Sequence, residues 1–281
     1  MAHRYSLAYL TVPGLAPPEM VDVAARIGYS FVGLRLNRTT EEEPHYPLMD
    51  DAALRRATKE RLDATGIGVW DVEVARLWPD TEPESYQDFF ETGAELGARH
   101  VVAQLPDPEL ARATERFGRL CELAAGYGLG VDLEFIAWTP ISSLAAAAQI
   151  VRKVNQPNAG ILVDMLHFKV AGSTIRELCS LPSGWFRYVH VCDSPRVNAE
   201  ERDRLFHIMR HEREFPGRGA IDVGCVLECL DEDVVYALEI PGDSLAAEVG
   251  LEEYARRALS ATEDYLKARR PFTNEQEEKT G

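Results

Sequence analysis

The sequence predicts one closed (β/α)8 barrel, on three observations. Eight short apolar runs rich in β-branched residues each precede a longer amphipathic stretch, which is the signature of parallel βαβ units. Gly or Pro punctuates most of the element ends. The chain of 281 residues, 46% hydrophobic and 27% charged, suits a single barrel of the usual ~250 residues better than two smaller domains. An open doubly wound sheet is the alternative architecture. Neither GxGxxG after the first strand nor GxxxxGK[ST] occurs, so a nucleotide-phosphate loop has no support. The barrel is expected over 1–270, with a flexible polar tail at 271–281.

The elements follow in order. YSLAYL (5–10) is strand one. Pro17 and Pro18 open a helix that Gly28 stops, and FVGLRL (31–36) is strand two. A polar loop over 37–49 leads to a helix that ends at Gly66. Strand three is 67–75, followed by a helix at 83–96. Strand four is 99–105, with a helix at 107–127. Strand five is 129–135; Pro140 and Ser142 suit the start of a helix that runs to Val154. Strand six is 161–165, with a helix at 172–180. Strand seven is 186–193, followed by a long polar segment, 194–220, and a short helix at 222–231. Strand eight is 234–240 and the last helix 249–268.

Four of these strands end on a metal-friendly side chain: Glu134 in VDLEF, Asp164 in ILVDMLH, His190 in YVHVCD and Glu239 in YALEI. They fall on consecutive strands five to eight. A barrel ends all its strands on one rim, so four such groups can point at one spot. Charged groups flanked by Val, Leu and Ile carry a large desolvation cost unless paired or metallated. Three carboxylates together need a cation to share the space.

At these residues the chain resembles the xylose-isomerase-like TIM-barrel superfamily, the sugar-phosphate isomerase and epimerase group. The resemblance spans about residues 5–268. It rests on Glu134, on Asp164 and His167 in DMLH, on His190 in VHVCD, on Glu239 in ALEI, and on REFPGRG (213–219), similar to an R-x-x-P-G-x-G segment after strand seven. The resemblance implies that Glu134, Asp164, His190 and Glu239 bind one divalent cation. Mn²⁺ or Mg²⁺ suits such a donor set best, with Co²⁺ or Zn²⁺ as alternatives. It implies further that the metal polarises a carbonyl and stabilises an enediolate, while Glu134 and Glu239 act as the acid/base pair. His167 would hydrogen-bond a substrate oxygen, and Arg213 would contact substrate from the loop.

Other residues extend the expectation. Arg35, in GLRL, is read either as a clamp for a substrate carboxylate or phosphate or as an ion-pair partner of Glu73. Trp138 is a candidate wall over a ring, whereas Trp70 reads as core. Asp193 is a candidate metal ligand or imidazole holder. Arg218 is a weaker candidate than Arg213, and His207 and His211 read as a basic helical face. The long segment 194–220 is a candidate lid. Ketose 3-epimerases of this group carry a second Glu six residues after the strand-five ligand; here that position is Pro140, which lowers the expectation of free-ketohexose epimerisation.

Function classes are narrowed by charge. With 30 Lys+Arg against 46 Asp+Glu the net charge is −16, which repels nucleic acid and anionic membrane. A DNA-repair nuclease is disfavoured, since strands one to three show no His at their ends. The expected partner is a small sugar-like hydroxy-carbonyl compound, turned over by isomerisation or epimerisation. A lyase of keto-cyclitol or dehydroshikimate type on the same scaffold is the first alternative, and a non-catalytic sugar-binding barrel the second. The N-terminus lacks a signal-peptide core and no run approaches the roughly 20 apolar residues of a membrane span. The five cysteines, Cys121, Cys179, Cys192, Cys225 and Cys229, contain no CxxC pair and read as reduced thiols of a cytoplasmic protein. Homo-oligomer formation is left open.

Overall fold

The computed structural model describes residues 3–198 and 200–269, so the expected tail at 271–281 lies outside the described residues. Eight parallel strands close into a barrel in sequence order: β1 Tyr5–Leu7, β2 Phe31–Arg35, β3 Gly68–Arg76, β4 His100–Gln104, β5 Gly130–Glu134, β6 Ala159–Asp164, β7 Tyr188–Val191 and β8 Val235–Leu238. Pairing of β1 with β8 completes the ring. All eight expected strands are present.

The helices of the outer layer are α1 Pro17–Ile27, α2 Ala52–Thr65, α3 Gln87–Glu95, α4 Leu110–Ala125, α5 Leu144–Val154, α6 Met165–Val170, α7 Ile175–Cys179, α8 Arg202–His211, α9 Val223–Glu228, α10 Asp243–Val249 and α11 Leu251–Ala268. Local chemistry sets their ends. Pro17 opens α1 from the extended Ala16, and Gly28 closes it at φ 105°, a conformation that costs glycine little. The Asp51 carboxylate accepts from the Ala53 and Leu54 amides to cap α2. Three helices are additions to the sequence reading. α6 and α10 are too short to show a period, and α8 lies within the long polar segment because only Leu205 and Ile208 of its residues are buried.

The core has two compartments. Outward residues such as Val131, Leu133, Val189, Val191 and Leu238 pack under the helices. Phe31, Trp70, Val74, Val102, Leu162, Tyr188, Val235 and Ala237 fill the barrel itself, as alternate strand residues must. Trp70 belongs to this inner core, packed on Phe31 and His100.

Strand β3 breaks the alternation. Its register shifts against β2 between Val32 and Gly33, and against β4 between Val72 and Ala75. Its helix-facing residues are therefore Val69, Val72 and Ala75, every third position. Bulges re-aim side chains in this way. Here they turn Trp70, Asp71, Glu73, Val74 and Arg76 away from the helices.

The cysteine expectation needs correction. Cys179 and Cys229 form a disulfide across 50 residues of sequence, with Cα atoms 5.1 Å apart; Cys121, Cys192 and Cys225 are free. The pairing joins the end of α7 to the residue after α9. Sequence spacing could not show it, because the two helices meet only in the folded outer layer. No helix among the described residues is long and apolar enough to cross a membrane.

Candidate metal centre

Glu134, Asp164, His190 and Glu239 converge at the C-terminal rim of the barrel. His190 Nδ1 lies 3.3 Å from Glu239 Oε2 and 4.0 Å from both Glu134 Oε1 and Asp164 Oδ2. None of the four is more than 7% exposed. Strand pairing sets the placement: Asp164 is the register partner of His190, Glu134 ends the neighbouring β5, and Glu239 directly follows β8. Two overlapping triads bring ligand atoms within 4.8 Å of one another, Asp164–His190–Glu239 and Glu134–Asp164–His167. The second triad draws His167, which the sequence assigned to substrate, up to the candidate metal ligands.

The donor set fits a divalent cation. Both ring nitrogens of His190 and Nδ1 of His167 are buried without a directed hydrogen bond, and buried polar atoms are rarely left so. Three carboxylates share the space with one imidazole. Burial alone would lower the His190 pKa, but Glu239, Glu134 and Asp164 outweigh it and raise it to about 10. Burial lifts the Glu134 carboxyl to about 7, against the pull of His190. The Glu239 carboxyl feels the same burial, yet His190 and Arg213 hold it well below the usual range.

Arg213 is fully engaged. Its Nη1 lies 2.7 Å from Asp164 Oδ2 and its Nη2 3.0 Å from Glu239 Oε2; Nη1 also donates to the Glu239 carbonyl and Nε to that of Met209. Asp164 has a further duty, accepting from the His167 amide as the cap of α6.

A cavity of about 540 Å³ opens above these groups. Glu134, His167, His190, Arg213 and Glu239 reach it from below, and Arg35, Trp138 and Pro140 also line it. The segment 194–220 supplies Phe206, Met209 and Arg210 from α8. Trp138 packs between His167 and Phe206, with ring centroids 5.1 and 4.8 Å away. Arg35 lines the cavity and is also ion-paired, at 2.9 Å to Glu73 and 3.4 Å to Glu43, so both readings of it meet in one side chain.

Asp193 is a correction. Its carboxylate accepts from the backbone amides of Ser194, Gly217, Gly219 and Ile221. Four donors leave it no capacity for a metal or an imidazole, and it shapes the loop instead. Arg218 is exposed and lies over the Phe215 ring at 5.3 Å, outside the cavity lining. His207 and His211 face solvent on α8, with His211 2.8 Å from Asp243.

Three of the cavity residues that escaped the sequence reading bear on the site. The Gln104 amide donates to Glu134 Oε2. Arg76 Nε donates to Gln104 Oε1 at 2.6 Å, so a hydrogen-bonded chain runs from the cavity wall to Glu134, a candidate metal ligand. Arg210, on α8, lies 3.0 Å from Glu43. Gln104 and Arg76 end β4 and β3, so the strand-end rule that found the four ligands applies to them too. Arg210 carries no comparable signal.

A parallel eight-stranded barrel with a buried carboxylate–imidazole cluster on its C-terminal rim defines a class of metal-site barrels. The chain belongs to the xylose isomerase-like TIM barrel family, whose model matches residues 21–265. It is 27% identical over 190 residues to an inosose isomerase of Bacillus licheniformis, a match covering 64% of this chain and 63% of that relative. It is 28% identical over 116 residues to a 3-dehydroshikimate dehydratase of Pseudomonas aeruginosa, covering 41% of this chain and 18% of that protein. The chain thus spans less than two thirds of the length of either relative. Among solved structures, the IOLI protein with a bound zinc atom superposes with a TM-score of 0.79 at 22% identity, over 96% of this chain and 100% of that one.

Proposed function

We propose that the chain is a divalent-metal-dependent isomerase or epimerase of a sugar-like hydroxy-carbonyl compound. The observation that carries this reading is the placement of Glu134 and Glu239. Both lie within 4.0 Å of the same imidazole, from strands on either side of Asp164 and His190, in a cavity sized for a small molecule. A bound Mn²⁺ or Mg²⁺, favoured by this oxygen-rich set over Co²⁺ or Zn²⁺, would polarise the substrate carbonyl and stabilise the enediolate.

The protein's own residues do the rest. One of the two glutamates takes a proton from the substrate carbon and the other returns one. Gln104 fixes the orientation of Glu134. Arg213 offsets the charge of Asp164 and Glu239. The free Nδ1 of buried His167 is available to a substrate oxygen. Trp138 and Phe206 wall the cavity against water.

A dehydratase is the second reading, favoured by the match to the 3-dehydroshikimate enzyme. It uses the same proton abstraction but expels a β-hydroxyl. Incubation of the Mn²⁺-loaded protein with ketoses, keto-cyclitols and dehydroshikimate in D₂O separates the two. Deuterium at the α-carbon without loss of water supports isomerisation or epimerisation. A new conjugated absorbance band supports the dehydratase, and neither outcome with any compound overturns both.

A further inference from the structure

Three guanidinium groups converge on one residue at the cavity mouth. Arg35 Nη1 and Arg210 Nη2 donate to Thr39 Oγ1 at 3.2 and 2.6 Å, and Arg76 Nη1 donates to the Thr39 carbonyl at 3.3 Å. Two carboxylates face them. Glu73 pairs with Arg35, while Glu43 is shared by Arg35 and Arg210. The fourth cavity arginine, Arg213, is taken by Asp164 and Glu239. Arg76 has no carboxylate within ion-pair distance among the described residues, and its remaining amino group, Nη2, has no protein hydrogen-bond acceptor there.

Its position argues against a stray surface charge. Arg76 ends the bulged strand β3 and lines the same cavity as Glu134, Glu239 and His190. Its backbone is clamped from both sides, since the Tyr86 hydroxyl accepts from the Arg76 amide at 2.6 Å and donates to the Arg76 carbonyl at 2.8 Å. Gln104 holds Nε at 2.6 Å, so the guanidinium plane is fixed. Burial, with Arg35 and Arg210 close by, lowers its pKa below the ordinary range for arginine, the reverse of the shift at Arg35 and Arg213. A held, partly desolvated cation without a counter-ion is costly on its own and becomes favourable when an anion arrives.

We propose that Arg76 recognises an oxyanion, a carboxylate or a phosphate, carried by the substrate. Arg35, the residue singled out by sequence for that task, is neutralised by Glu73 and Glu43 and serves to brace the mouth. The inference rests on the functional reading above for where the substrate lies, and it narrows the substrate class to anionic hydroxy-carbonyl compounds.

The test is binding rather than turnover. Calorimetric titration of the Mn²⁺-loaded protein with dihydroxyacetone, dihydroxyacetone phosphate and hydroxypyruvate compares neutral, phosphate and carboxylate versions of one small core. One or both anionic probes are expected to bind about 10- to 100-fold more tightly than the neutral one, the worth of a charge-assisted hydrogen bond; which of them does so identifies the oxyanion. Arg76→Gln should abolish that preference, read as the ratio of anionic to neutral affinity within the variant because its Gln104 partner also holds Glu134, while circular dichroism and an unchanged thermal midpoint show that the variant is folded. Arg76→Lys should retain part of it. Equal binding of all three probes by the native protein, or a preference that survives Arg76→Gln, overturns the proposal. Anion preference without turnover on any substrate would leave this inference standing and break the isomerase reading. Turnover of neutral substrates alone would do the reverse.

Discussion

Asp132 and Glu134 sit two residues apart on β5, on the same inward face, and both are buried. Their surroundings differ. Asp132, toward the N-terminal end of the barrel, lies 2.8 Å from His100 Nδ1 and 2.8 Å from Arg187 Nη1. Burial acts to raise its carboxyl, yet these two partners hold it below the usual range. Glu134, at the rim, has a neutral amide partner in Gln104, and burial, reinforced by Asp164 and Glu239 and opposed by His190, lifts its carboxyl to about 7. The lower carboxylate is satisfied by the fold itself. The upper one shares a single imidazole with Asp164 and Glu239. One strand thus carries both a charge satisfied by the fold and a candidate functional one, and the completeness of their pairing tells them apart.

The comparison can be broken at either end. Glu239→Gln at the rim should cut turnover by about 10²–10⁴-fold, and it should also lower the urea midpoint, because the buried Arg213 loses one of its two carboxylates. Solvent deuterium incorporation, with metal content measured alongside, checks this. Near-full turnover in that variant would remove Glu239 from the acid/base pair. At the bottom, Asp132→Ala should cost about 3 kcal/mol of stability, the low end for a broken buried pair, because the Arg187 and His100 side chains keep 19% and 11% exposure. Its turnover per folded molecule should match the native value. A large loss of turnover with normal stability would erase the distinction. Chelation should act on the rim alone: at an ion concentration of about 100 Kd, adding the metal back should restore about 2.7 kcal/mol, read as a shift in thermal midpoint.

Asp71 offers the finest test. It is 1% exposed inside the barrel, and neither carboxylate oxygen has a hydrogen-bond partner. Burial, reinforced by Glu73, drives its pKa well above the usual carboxylate range. The folded protein therefore holds a proton that the unfolded chain releases once pH exceeds about 4. Stability falls as pH rises from there toward the raised folded value. Asp71→Asn removes this dependence. Its advantage should widen as pH rises above about 4, by at most about 1.4 kcal/mol per pH unit, measured by urea unfolding at each pH. Parallel curves would mean that Asp71 titrates as an ordinary carboxylate.

Much of this arrangement was legible from sequence. The eight strands were readable because apolar runs and Gly or Pro stops are local signals. The four rim groups were readable because each interrupts an apolar run at a strand end. Arg76 ends a strand too, on the same face as Trp70 and Val74, but its lack of a carboxylate partner shows only once the other elements are in place. The saturation of Asp193, the pairing of Arg35 and the Cys179–Cys229 bond each depend on partners brought in by other elements. Sequence proposes which groups are chemically capable, and the fold decides which of them remain uncommitted.

The anchoring of the segment after β7 has a consequence for how such a barrel diversifies. Asp193 and Glu214 exchange backbone hydrogen bonds, each amide 2.8 Å from the other's carbonyl, and Glu212 bridges to Gly242. The chain between is a loop tied off at its base. Lengthening such a loop is cheap, about 0.6 kcal/mol for each doubling. Insertions and deletions around α8 can therefore reshape the roof over the cavity without disturbing His190 beneath it. Selection can exchange the ceiling for a new ligand while the floor of the cavity is inherited unchanged.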